Sequence, residues 1–368
     1  MSEIRFFHTH VAPEAIELVT QVLRSGQLSE GPMVHRFEQA LASKLGLVNP
    51  VALNSGTSAL HLALCIAGVG PGDEVILPAQ TFVATGLAIL MQRAVPVFAD
   101  IQPDTGNIDP ESFRAKITPR TKAVMPVHWG GYPCDLDEIN ALAQERGLAV
   151  IEDAAHALGA TYRGRPIGAI SRFTAFSFQA IKHLTTGDGG ALCCTETRDH
   201  EQARARRWFG IDRMNTTVSA LGERQYNIGA LGFKYHMNDL AAALGLGNLA
   251  DFTRRLSERE ARWRRYQKGL KGAAGLSTPP ESVDRHHASW LFTIRAERRD
   301  DLCKMLAASG FPTSVVHQRI DRNEVFGGLR RDLENQARYD ERQLSLPVHE
   351  GLAMQDVDRL IACIRDGW

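Results

Sequence analysis

The sequence predicts an α/β fold, with a mainly parallel sheet in a large domain over residues 1–248 and a smaller α/β domain over residues 249–368. Three observations point there. Short apolar runs alternate with helical patterns through the first two thirds of the chain, as expected of a parallel sheet covered on both faces. Turn residues punctuate the element boundaries. Past about residue 235 the alternation gives way to a long helical stretch and then to a second, shorter set of elements.

Taken in order, NPVALN is a strand ending at Asn54, and SALHLALCIAGVG is the helix after it. DEVILP and VPVFAD are strands flanking the helix TFVATGLAILMQR. TKAVMPVHW reads as one strand and DLDEINALAQERG as a helix. LAVIEDA is a buried strand, and FTAFSF and GGALCC close the series. Gly70-Pro71-Gly72-Asp73 is a turn, and Gly147 is a helix C-cap. LAAALGLGNLADFTRRLSEREARWRRYQKGL reads as one long helix bridging to the second domain. There SWLFTIRAE is a strand, RRDDLCKMLAASG a helix, and a last helix ends the chain.

Composition narrows the function classes. The 368 residues are 44% hydrophobic and 23% charged, and 42 Lys plus Arg balance 42 Asp plus Glu. This is ordinary globular composition, and a net charge of zero gives no argument for nucleic acid or an anionic membrane as partner. The opening MSEIRFFHTHVAPEAIELV has no basic segment leading into an apolar one, so no secretory signal is expected. The longest apolar run, ALHLALCIAGVG, is too short to span a bilayer. The six cysteines form no CxxC pair, and free thiols in a cytoplasmic protein are the expectation.

Ligands of open α/β sheets sit beyond the carboxyl ends of the strands, and three stretches should meet there. Asn54-Ser55-Gly56-Thr57-Ser58 joins a strand to a helix. Gly56 would let the backbone approach a ligand, and Thr57 and Ser58 offer hydroxyls and N–H groups suited to a phosphate. The same residue types also serve simply as helix caps. Asp153 ends a very apolar strand, where a carboxylate needs a partner, although capping the next turn would supply one. His156 lies three positions on and would share a face with Asp153 in a helical turn. The third stretch holds Ser177, at the end of FTAFSF, and Lys182 between apolar flanks. Burial lowers a lysine's pKa and makes it a nucleophile toward carbonyl compounds; a solvated side chain is the plain alternative. A phosphate loop, a strand-end aspartate and a later lysine, in that order, are what a pyridoxal 5'-phosphate site needs. Phe82, in PAQTFVAT, can cover the ring face or belong to the core.

The chain of motifs resembles the DegT/DnrJ/EryC1/StrS sugar aminotransferases, which are fold type I pyridoxal phosphate enzymes. The likeness runs through SGQLSEGPMVHRFEQALA, LNSGTSALHLAL, LPAQTFVATGLAI, FADIQPDTGNID, PVHWGGYPCDLDEI, VIEDAAHALGATYRGRPIG, FSFQAIKHLTTGDGGAL, KYHMNDLAAALG and LSLPVHEGL, nearly the whole chain. It implies a homodimer with shared active sites. Lys182 matches the Schiff-base lysine, Asp153 the partner of the pyridine nitrogen, and His156 the residue beside the cofactor ring. Gly56, Thr57 and Ser58 match the phosphate loop, Ser177 a phosphate-binding serine, and Phe82 the ring-stacking aromatic. One departure is Lys234, which stands where many members have an asparagine reaching the neighbouring subunit's phosphate. A lysine can serve that contact as a full charge.

The resemblance also implies the reaction: an amino group moves from a donor, usually L-glutamate in the family, to a nucleotide-linked keto-sugar. Some relatives replace the lysine with histidine and become sugar dehydratases; this chain keeps Lys182, with His183 beside it. A regulatory protein that binds the cofactor without turnover and a plain nucleotide-binding α/β protein are the other readings. His183, and His317, Arg319 and Arg322 of SVVHQRIDRNEVF, are candidate substrate contacts, with a solvated charged loop as the alternative for the last three. No metal site is expected, because His286-His287 has no second ligand pair at suitable spacing.

Overall fold

The computed structural model describes residues 4–212 and 216–368. Seven strands form the main sheet: β1 (Pro50–Leu53), β2 (Glu74–Pro78), β3 (Val95–Ala99), β4 (Thr121–Val124), β5 (Ala149–Asp153), β6 (Phe173–Ser177) and β7 (Gly190–Cys194). Their order is β1-β7-β6-β5-β4-β2-β3. Every neighbouring pair is parallel except those involving β7, which runs antiparallel to both β1 and β6. β2, β5 and β7 are buried along their whole length, which is why they read as continuous apolar runs rather than alternating ones. Phe37, Phe113, Ile139 and Phe176 belong to one core cluster, and Leu62, Ile89, Phe98 and Phe173 to another.

A third cluster holds Trp263, Tyr266, Phe292, Leu306, Leu344 and Leu360. It lies with a three-stranded antiparallel sheet of Leu276–Ser277, Phe292–Ala296 and Gln343–Leu346. The carboxylate of Asp239 reaches back more than two hundred positions to cap the helix Pro32–Leu45. It accepts the N–H groups of Gly31, Met33 and Val34 at 2.9, 3.2 and 3.0 Å. A negative group on those free donors is the favourable sign for a helix N-terminus.

Two sequence expectations need correction. The long helix expected over 240–270 is broken into Asp239–Asn248 and Phe252–Leu270. Asn248 is the reason. Its side chain accepts the Ala12 N–H at 2.8 Å and donates to the Thr185 carbonyl at 2.9 Å. Its own carbonyl is taken by the Arg255 guanidinium at 2.8 Å, so it is not left for the next helical turn. TKAVMPVHW also stops early as a strand. Pro126 has no N–H to donate, and the ladder resumes only as a bridge between Val127 and Asp153.

Gly247 sets the packing of the helix Asp239–Asn248 on Pro13–Ser25. A Cβ there would lie 2.3 Å from the backbone N and Cα of Ala15, atoms that cannot rotate away. Helix propensity alone favours alanine over glycine by about 1 kcal/mol, so the clash must exceed that gain. Gly247→Ala should therefore cost a net of about 1–2 kcal/mol. Gly229→Ala, with no atom within 4 Å of the new Cβ, should stay within about 0.5 kcal/mol of wild type. Urea unfolding midpoints of the two variants check the difference.

Candidate active site

A cavity of about 350 Å³ opens where β5 and β6 end, and Ser55, Gly56, Thr57, Asp153, Ser177 and Lys182 line it. The first three start the helix Gly56–Ile66. Ser55 is its N-cap, and the Ser55 Oγ accepts the Ser58 N–H at 3.0 Å. The Ser58 hydroxyl donates to Asn54 Oδ1 at 2.6 Å. Ser58 thus spends both donors inside the loop and is buried behind it, contrary to the expectation that it offers them to a ligand. Gly56 is needed for a different reason from the one expected. A Cβ on it would sit 3.0 Å from the Ser177 Cβ, and one on Gly190 would meet the Gly56 nitrogen at 2.6 Å. The two glycines let the helix start press against the ends of β6 and β7, which brings Thr57 and Ser177 to one wall.

Asp153 is 6% exposed, and each carboxylate oxygen has a donor. Thr85 gives its hydroxyl to Oδ2 at 2.7 Å, and the Ala155 N–H reaches Oδ1 at 3.1 Å. Thr81 hydrogen-bonds the Thr85 hydroxyl in turn at 2.6 Å. The expected helical turn after Asp153 is instead a pair of tight turns, closed by Ala157 N–H to Ala154 O and Ala160 N–H to Ala157 O. His156 lines the cavity all the same, its ring stacked on Trp290 with centroids 3.7 Å apart. Burial pulls the Lys182 amine down from its usual 10.5 to about 7, with the Asp153 charge acting the other way. Burial, with the neighbouring Lys182 charge, also holds His156 well below 6.5 and His317 at about 4, so both imidazoles are neutral at neutral pH.

His317 and Phe82 form the outer wall, ring centroids 5.0 Å apart. Phe82 is no core residue. It is the N-cap position of the helix Val83–Met91 and is 53% exposed. Three buried glutamines hold the His317 segment. Gln80 and Gln343 both donate to the His317 carbonyl at 3.3 Å, and Gln336 donates to Gln80 Oε1 at 2.8 Å. The Ile320 N–H adds a bond to the Ala79 carbonyl at 2.9 Å. The His317 wall is therefore fastened to the end of β2.

Three candidate substrate contacts are not at the cavity. Arg319 is buried and gives a two-pronged ion pair to Asp321 at 2.7 and 2.6 Å, and also donates to the Arg330 carbonyl. With a carboxylate two positions away, its guanidinium is spent on its own loop. His183 is buried with its Nε2–H donating to the Ala288 carbonyl at 2.7 Å, and burial keeps it neutral. It anchors the chain beside Lys182. Arg322 is exposed outside the lining residues, as is Lys234, whose carbonyl accepts from Asn54. His286 pairs with Glu260 at 3.2 Å, and His287 accepts the Ser289 N–H at 2.7 Å.

Residue-by-residue reading missed Thr85 and Trp290. Thr85 was within reach, because it lies three positions after Phe82 on the same helix, a spacing that puts both on one side. Trp290 carried no local signal; it meets Ile181 across 109 positions of chain.

The sequence profile of the DegT/DnrJ/EryC1/StrS aminotransferase family matches residues 10–365. The spore coat polysaccharide biosynthesis protein SpsC of Bacillus subtilis is 41% identical over 97% of this chain and 95% of its own length. GDP-perosamine synthase of Caulobacter vibrioides is 36% identical over 91% of this chain and 90% of its own. Among solved structures, the sugar aminotransferase CalS13 of Micromonospora echinospora superposes with a TM-score of 0.94 at 33% identity, covering 99% of this chain and 100% of its own.

The Asp153 charge favours the protonated lysine. Asp153→Asn keeps the shape and removes that charge, so the Lys182 amine should titrate below about 7 in the cofactor-free protein. The pH dependence of Lys182 acetylation, read by peptide mass spectrometry, checks the direction.

Proposed function

The chain belongs to the DegT/DnrJ/EryC1/StrS aminotransferase family, and from that premise we propose that it moves an amino group from L-glutamate to a nucleotide-linked keto-sugar with pyridoxal 5'-phosphate as cofactor. The observation that carries the reading is the Lys182 amine, lowered to about 7 in the same cavity as Asp153 and the start of the helix Gly56–Ile66. Names of relatives such as GDP-perosamine synthase and sugar aminotransferase CalS13 support the substrate class.

The residues present fit the cofactor. A phosphate suits the helix N-terminus, where Gly56 and Thr57 meet Ser177. Asp153, steadied on both oxygens, suits a protonated pyridine nitrogen. Phe82 and His156 line the cavity as candidates for the two ring faces. When bound, pyridoxal phosphate supplies a ring that accepts the electron pair of the bond being broken.

This chain's groups then have distinct tasks. With the cofactor bound, the Lys182 amine would hold it; once free, the same amine would take the proton from the donor's α-carbon and return it, as general base and then general acid. A pKa near the working pH suits both duties. The Asp153 carboxylate would pair with the ring nitrogen. Neutral His156 can accept or donate a hydrogen bond without repelling the ammonium form of Lys182. When the keto-sugar accepts the amino group, its carbonyl oxygen leaving as water, the Lys182 amine would move the proton in the opposite direction.

The same reading makes the protein a homodimer with shared sites. Lys182 is the only lysine or arginine lining the cavity among the described residues, so a phosphate dianion calls for a cation from elsewhere. In this reading Lys234, exposed in the single chain, would supply it to the neighbouring subunit in place of asparagine. The division into a large cofactor domain, residues 1–248, and a small domain, residues 249–368, belongs to this proposal. So does a cytoplasmic location; among the described residues no helix is long and apolar enough to cross a membrane. Because Lys182 is retained, aminotransfer is favoured over dehydration.

Lys182→Ala should abolish turnover while the far-ultraviolet circular dichroism stays that of wild type. Near-normal turnover in the folded variant would sink the assignment. Nucleotide keto-sugars screened with L-glutamate, followed by mass spectrometry, should yield an amino sugar; a keto-deoxy sugar without amine would indicate the dehydratase instead.

A further inference from the structure

The large aromatic against Lys182 comes from outside the main sheet. Trp290 is 1% exposed, and the Lys182 Nζ lies 3.8 Å from its ring centroid. Its indole N–H donates to the carbonyl of Ile181, the residue just before the lysine, at 3.2 Å. Its ring also stacks on His156 and, at 5.5 Å, on Phe7. The backbone is fixed as well: the Trp290 and Leu291 N–H groups both donate to the Gly130 carbonyl, and Ala288 donates to that of Gly131. Gly131, at φ +101°, leaves room for this approach, since a Cβ there would lie 3.3 Å from the Ser289 nitrogen and 2.8 Å from the His156 carbonyl.

We infer that Trp290 is a positioning residue for aminotransfer: its indole face is the docking place of the Lys182 amine when that amine is free, and its N–H fixes the backbone beside it. The inference rests on reading Lys182 as the reacting amine. A lysine released from its partner has four rotatable bonds and loses position unless something holds its head. An aromatic face can do so, because the ring quadrupole attracts an ammonium, and more strongly where the pair is desolvated. The groups facing Lys182 agree with this role. Asp153 at the end of β5 favours the ammonium form, while His156, His183 and His317 from the surrounding segments are held neutral by burial. Trp290 thus adds to Asp153 against burial and keeps the amine able to hold and release a proton near neutrality.

The test uses the full-length protein with excess amino donor, a condition that leaves Lys182 free whether or not a cofactor is attached. Trp290→Phe keeps an aromatic face, and Trp290→Leu removes it; both side chains are smaller than tryptophan, so the comparison is between these two variants. The midpoint of Lys182 acetylation against pH should stay within a few tenths of a unit of wild type in the Phe variant and fall by about one unit in the Leu variant. Turnover should follow, with kcat reduced more than KM in Leu and largely rescued in Phe. Equal midpoints in the Phe and Leu variants would overturn the inference. Should the Leu variant not fold, wild type still decides. The ε-methylene resonance of Lys182, assigned by its loss in Lys182→Ala, should be displaced upfield by the indole ring current; an ordinary lysine shift overturns the proposal. Borohydride reduction in the presence of pyridoxal phosphate, followed by peptide mapping, tests the cofactor reading separately, and its failure would leave the docking result standing.

Discussion

The site depends on one costly arrangement: an amine and a carboxylate, both largely buried, lining one cavity. Burial disfavours the charged lysine, and Asp153 only partly compensates. The consequence for stability has a definite sign. Burial lowers the lysine from its ordinary 10.5 to about 7 in the folded chain, so between those values the unfolded chain binds more protons than the folded one. Stability in that window rises with pH, and the penalty is fully present below about 7. The fold tolerates this in part because the carboxylate sits in a rigid element: Asp153 is the last residue of a buried parallel strand, and Thr85, bonded to Thr81, donates to it from the segment after β2.

Strand order explains why these groups meet. β5 and β6 are neighbours and parallel, so Asp153 and Ser177 end at the same edge. Antiparallel β7 lies between β6 and β1, which places Gly190 against the loop that follows β1. Small residues at positions 56 and 190 are then a packing requirement of the sheet before they are a feature of any ligand site. The helix N-terminus cannot reach Ser177 unless both side chains are absent. In the proposed reading, a phosphate and the sheet packing would use the same atoms.

Much of this was legible in the sequence. DEVILP read as a strand and LAVIEDA as a buried strand, and the structure has both as strands buried along their length. The order of phosphate loop, aspartate and lysine placed Thr57, Asp153 and Lys182 together, and they do line one cavity. What failed depended on partners that no local pattern reveals. Asn248 breaks a helix because Ala12, Thr185 and Arg255 all bind it. His183 looked available beside Lys182 until the Ala288 carbonyl took its ring. Arg319 is different, because its carboxylate partner is only two positions away; an Arg-x-Asp spacing in a tight turn was a readable warning that the guanidinium would be occupied.

The division between legible and illegible residues follows a division of labour in the cavity. Thr57, Asp153 and Ser177, which the proposal assigns to the cofactor, sit at strand ends and a helix start, where backbone geometry dictates residue type. The outer parts, His317 and Trp290, arrive from segments beyond residue 280 and are held by glutamine amides and glycine carbonyls. Those anchors fix where the walls stand without dictating which side chain the walls present. A chain can therefore alter the residue at position 317 while leaving Gln80, Gln336 and Gln343 to hold the segment in place. By this argument substrate choice resides in the outer walls and the loops around them, and the chemistry of the amine resides in the sheet. Trp290 joins the two, because it belongs to the outer segment and touches the amine itself.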